Sequence, residues 1–141
     1  MKNKKIFRTL SLAVAVLCVL SLFAPIASAR DSYYINTYVA YVTASTSGKV
    51  LITFEITAPR TMSEIGSTTI MVYENGSHVK TYSHSSTSGM MAYNKGIHGN
   101  YITHQGTVGK TYNATVIFRS GITGSGFDNR TYYTNTVTAK N

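Results

Sequence analysis

The chain has 141 residues, with thirteen Lys and Arg against five Asp and Glu, one Cys and no Trp. A single Cys excludes a fold held by intramolecular disulfides, and five scattered acids offer no carboxylate cluster for acid–base or metal chemistry. The formal charge of +8 overstates any attraction to nucleic acid, because Lys2, Lys4, Lys5 and Arg8 all fall in the first eight positions.

Those positions open the segment MKNKKIFRTLSLAVAVLCVLSLFAPIASA: a basic stretch, an apolar run from Leu10 to Ile26, and Ala27-Ser28-Ala29. The order predicts a secretory signal peptide over residues 1–29, cleaved after Ala29, and hence a secreted, extracellular product. Ser11, Ser21 and Pro25 interrupt the run, which argues against a stable membrane anchor. Cys18 follows Val16 and Leu17, not the small residues that precede a lipidated Cys. The remainder, Arg30–Asn141, is 112 residues with no Cys and a formal charge of +4, enough for one domain with its own core. Its positive charge is diffuse, so nucleic acid is not an expected partner.

After residue 30 no helical period is sustained, while apolar–polar alternation recurs between Gly, Ser and Asn clusters. YYINTYVAYVTAS (33–45) reads as a first strand. KVLITFEITA (49–58) is the clearest: Val50, Ile52, Phe54 and Ile56 share one face, Leu51, Thr53, Glu55 and Thr57 the other, and Pro59 ends it. TTIMVYENGSHVKTYS (68–83) reads as a hairpin turning at Asn75-Gly76, two residues that tolerate positive φ. Pairing Glu74 with Ser77 there sends Ile70, Val72 and Val79 inward and sets Met71 opposite Lys80.

MMAYNKGIH (90–98) follows, flanked by Gly89 and Gly99 and containing Gly96, and is predicted to be a crossing between sheets. In that role Met90 or Met91 plugs one end of the core while Tyr93 and Asn94 pin the crossing by side-chain hydrogen bonds. The alternative is a recognition loop presenting Met90, Met91, Tyr93, Asn94 and His98. Further strands are expected at NYITHQ (100–105), KTYNATVIFRS (110–120) and RTYYTNTVTAK (130–140).

About seven short strands in roughly 110 residues predict an all-β fold, a two-sheet antiparallel sandwich of immunoglobulin-like type, with a closed barrel as the alternative. The last third, TVGKTYNATVIFRSG followed by RTYYTNTVTA, resembles the final hairpin of fibronectin type III domains, with Phe54 standing where those domains carry a Trp. The resemblance implies that Tyr112 is a structural tyrosine corner, its ring buried and its hydroxyl bonded to backbone upstream, with Ala114, Val116 and Phe118 inward after it. Through SYYINTYVAYVTA, TMSEIGSTTIMVYE, GMMAYN with a following His, and YNATVIF, the chain also resembles small secreted proteins of Gram-positive gut anaerobes that are grouped as a domain of unknown function. That likeness implies export and a β fold, and no chemistry.

Four histidines, His78, His84, His98 and His104, form two pairs spaced six apart; on one strand that spacing leaves about 20 Å between side chains, too far to share an ion. No catalytic, cofactor-binding or metal residue is therefore assigned. Gly124-Ser125-Gly126 lacks a strand-to-helix elbow, and GITGSGF leads to a strand, not to a helix N-terminus that would hold phosphate. Eleven Tyr among abundant Ser, Thr, Gly and Asn exceed what such a core can bury, and exposed Tyr beside small polar residues favours recognition. The sequence thus predicts a non-catalytic module binding an extracellular protein or glycan. The alternatives are a small hydrolase or metal-dependent enzyme built on one of the histidines with Glu74 or Asp128, and a secreted inhibitor or antagonistic peptide.

Overall fold

The computed structural model describes residues 32–141, so the predicted signal peptide and its cleavage point lie outside the described residues. In the described residues the chain is all-β. Seven strands, β1 (Thr37–Ala44), β2 (Lys49–Glu74), β3 (Ser77–Ser83), β4 (Met91–Gln105), β5 (Thr111–Ile122), β6 (Gly126–Tyr133) and β7 (Val137–Thr138), join one antiparallel sheet. The sequence predicted two hydrogen-bonded sheets. The reason for the difference is β2, whose 26 residues run through both layers of the molecule.

The first half of β2, Lys49–Thr57, lies between β1 and β4. Its second half, from Glu64 to Glu74, pairs with β5 on one side and with β4 and then β3 on the other. Pro59 does not end the strand. It sits in a bulge where β2 advances from Thr57 to Met62 while β4 advances only from Ile97 to Lys95. Extra residues in one strand of a pair bend it, and a proline without an N–H costs the ladder least at such a bulge. The two halves of β2 consequently curl into a half-barrel over a shared core.

Alternation then decides what is buried. Val50, Ile52, Phe54 and Ile56 on the first half are at most 1% exposed, and Ile70 and Val72 on the second, with Tyr112, Ala114, Val116 and Phe118 on β5, meet them. Phe118 packs against Tyr38 at a centroid distance of 5.5 Å and against Phe54 at 6.3 Å, so the layers are joined by tilted aromatic contacts.

A curled sheet has two seams to close. Along the first, between β1 and the β6–β7 end, Asn135 imitates a neighbouring strand: its side-chain carbonyl accepts the Val42 N–H and its amide donates to the Val42 carbonyl, both at 2.9 Å. The same seam is crossed where Ser32 donates to Asp128 and Gly48 N–H to the Lys140 carbonyl. Such pairing covers backbone groups that would otherwise template another chain.

The hairpin turns at Asn75-Gly76, with φ of 48° and 82°, and Glu74 does face Ser77. Beyond Tyr73–His78 the register shifts by one, placing Val72 opposite Lys80 and Ile70 opposite Tyr82. Val79 is therefore not inward: it is the bulged residue on an edge strand and is exposed. The predicted 33–45 strand begins only at Thr37, 100–105 is the end of the much longer β4, and 130–140 is divided between β6 and β7. GITGSGF forms the tight β5–β6 turn, closed by Ser125 N–H on the Ile122 carbonyl.

Candidate functional site

Residues 91–98 are strand, not a crossing loop. They form the first half of β4; Gly89, with φ of 77°, does bend the chain before the strand, while Gly96 and Gly99 lie within it. At Gly66 a Cβ would collide with the Met90 carbonyl and lie 2.8 Å from Met91 Cα, so only glycine lets β2 and the start of β4 approach this closely. Met90 is fully buried just before the strand, Met91 is half-buried, and Tyr93 and Asn94 are exposed, with no side-chain hydrogen bond to any other described residue. Asn94 has φ of 55° and kinks the strand. His98 is turned inward from β4, where its Nε2 meets the Gly89 carbonyl at 2.8 Å and its ring contacts Phe54. The five residues of the proposed recognition loop thus divide between core, seam and surface.

The second seam, between the edges of β3 and β4, is closed by polar side chains. Asn100 donates to the same Gly89 carbonyl as His98, and Tyr82 OH hydrogen-bonds His104 Nδ1 at 3.0 Å. His104 also lies against the ring of Tyr112 at 5.7 Å. Tyr112 is wholly buried; its hydroxyl accepts the Thr107 N–H, five residues upstream, at 2.8 Å, and donates to Glu74. His104 and Glu74 therefore meet on either side of Tyr112, each engaged in holding the end of the half-barrel. His78 bonds Thr81 and His84 lies against the Thr68 carbonyl, both at the surface. Among the described residues no three His, Cys, Asp or Glu converge as metal ligands.

Burial pushes the His104 pKa below its ordinary value of 6.5; Glu74 opposes that shift and Lys80 adds to it. The unfolded chain then binds the extra proton first as pH falls through 6.5, so His104 lowers stability on acidification until the folded form also titrates. Thermal melts between pH 7.5 and 5.5 should show this decline, and His104→Gln should flatten it. An unchanged pH profile in the variant would place the decline elsewhere.

Of the nine large apolar residues exposed among the described residues, four, Val39, Tyr41, Ile97 and Tyr101, share the outer face of β1, the first half of β2, and β4. Register aligns Thr43–Leu51–Thr103, Tyr41–Thr53–Tyr101, Val39–Glu55–Gly99 and Thr37–Thr57–Ile97 as successive rows. Tyr41, Tyr101, Val39 and Ile97 are 47%, 56%, 42% and 62% exposed, although the other face of their strands buries Ala40, Val42 and Ile102 and half-buries Tyr38, His98, Asn100 and His104. Thr37 and Thr57 bond each other at 2.6 Å through their hydroxyls. Glu55 is the one charged side chain of the four rows, and Lys49 begins the next row at the rim. An open depression of about 620 Å³ lies elsewhere, on the first seam between Val42 and Asn135. Sequence alternation marked Thr53 and Glu55 as outward. It left Tyr101 and Ile97 unassigned to that face because it does not show that β4 pairs with the first half of β2. Comparison with known proteins yields no match to any family model, curated protein or solved structure.

Proposed function

We propose that the chain is an exported, non-catalytic, sandwich-like module of immunoglobulin-like character that binds a partner through the outer face of β1, β2 and β4. The observation that carries this reading is four large apolar side chains, Val39, Tyr41, Ile97 and Tyr101, left exposed on one continuous sheet face. Scattered exposed apolar residues need no explanation, but four gathered on one sheet face, on the strands either side of Thr53, Glu55 and Thr57, mark an interaction surface. Tyrosine suits it, since a ring with two side-chain torsions contributes contact area at little entropic cost.

Tyr41→Ala combined with Tyr101→Ala should abolish partner capture while leaving the denaturation midpoint within experimental error, because both rings are on the face away from the core. Capture would be read by chemical crosslinking on cell-surface and extracellular fractions. Undiminished capture by the double variant would overturn this assignment of the face.

The order of a basic stretch, an apolar run and Ala27-Ser28-Ala29 in the sequence supports the export half of the proposal. Mass spectrometry of culture medium should find a product beginning at Arg30. A membrane-bound product retaining Cys18 would be the contrary result.

A further inference from the structure

Resting on that binding reading, we infer that the occupant of the outer face is an extended, neutral polysaccharide lying across β1, β2 and β4, with sugar rings stacked on Tyr41 and Tyr101. Three properties of the face select this chemistry over a macromolecular partner. The first is size: four rows on three strands span on the order of 300–400 Å², about half of the ~800 Å² per partner that a stable protein interface buries. A second copy or another protein needs ground this face lacks. A polysaccharide chain does not, because each ring contacts only a few side chains.

The second property is charge. The formal charge of the chain from Arg30 onward is +4, yet the only charged group within the four rows is Glu55. A surface for nucleic acid or an acidic polymer would gather cations. Here the basic residues lie off the face or at its rim, and the one carboxylate repels an anion while accepting hydrogen bonds from sugar hydroxyls.

Spacing is the third. Tyr41 and Tyr101 flank Thr53 in one row, two strand separations or about 10 Å apart, so alternate rings of a ribbon-like chain can stack on them while the Thr53 hydroxyl faces the ring between. In the adjacent row Gly99 replaces a side chain, and Glu55 Cγ lies 3.5 Å from the position a Cβ would take there. That gap leaves the Glu55 carboxylate open to hydroxyl groups at the edge of the chain. Stacking supplies affinity from the apolar faces of the sugars, and the hydroxyls of Thr and Tyr supply orientation.

The test is native affinity electrophoresis of the processed chain in gels containing hydroxyethylcellulose, xylan or galactomannan, with dextran sulfate as the charged control. Retardation is expected in at least one neutral gel, it should persist at high salt, and the Tyr41→Ala/Tyr101→Ala variant should lose it by at least about tenfold in apparent affinity. Gly99→Asp, which fills the gap beside Glu55 with a second carboxylate, should weaken it too. Circular dichroism melts of each variant separate loss of binding from loss of fold. Migration unchanged in all three neutral gels, or equal retardation of wild type and double variant, overturns the inference, as does retardation confined to dextran sulfate. Should glycans fail while crosslinking to a protein still depends on Tyr41 and Tyr101, the binding face stands and its glycan occupant does not. If neither depends on them, both readings fall.

Discussion

Replacing Tyr112 with Phe should lower the unfolding free energy by about 1–3 kcal/mol, because it keeps the ring and strips the hydroxyl from two partners at once. Thr107 N–H loses its acceptor and Glu74 loses its donor, and both lie at the point where the connection between β4 and β5 crosses the end of the half-barrel. Tyr112→Ala removes the ring as well, from a site that is fully buried and that supports His104. Its cost should rise to about 3–5 kcal/mol. Urea denaturation of the two variants reads both steps. If Tyr112→Phe matched wild type, water would be replacing the hydroxyl and the end of the barrel would be looser than its hydrogen bonds imply.

Met90→Ala should cost about 2–5 kcal/mol, and Met91→Ala much less. The neighbours differ in burial: Met90, at the bend that leads into β4, is fully buried, whereas Met91, the first residue of the strand, is half-buried. The site left by Met90 is poorly able to collapse. Its own carbonyl accepts the Ser67 N–H at 2.8 Å, and the preceding Gly89 carbonyl is held by both His98 and Asn100. Loss of the thioether therefore leaves a cavity under a backbone that is fastened on two sides. Equal costs for the two variants would show that this segment shifts to fill the space.

These two residues also show where sequence reasoning reached and where it stopped. Period-two alternation is a local property, and it identified the buried phase of β2 at Val50, Ile52, Phe54 and Ile56, while the resemblance to the fibronectin type III hairpin implied that of β5 at Ala114, Val116 and Phe118. Asn75-Gly76 carries its turn in its own backbone preference, so the hairpin and its Glu74–Ser77 pair were legible from the residues. Strand continuity is not local in that way. Pro59 reads as a terminator because it cannot donate to a ladder, yet the bulge around it gives that missing N–H no partner to lose, and β2 carries on into the opposite layer. Past the bulge β4 keeps pairing with β2, from Lys95 to Met91, and so the glycine-marked segment is a strand.

Alternation along the sequence determined that residues 32–141 are all-β, and length and composition that one core suffices for them and that some of the eleven tyrosines face solvent. Which ones do was decided only by tertiary structure. Tyr41 and Tyr101 are sixty residues apart and become neighbours across Thr53 because β1 and β4 flank the same half of β2. His98 and His104, equally conspicuous in the sequence, turned inward to fasten a seam that exists only because the sheet curls. Side-chain chemistry sets what each residue is able to do, but the register of distant strands, imposed by pairing every buried backbone group, chooses the company in which it does so.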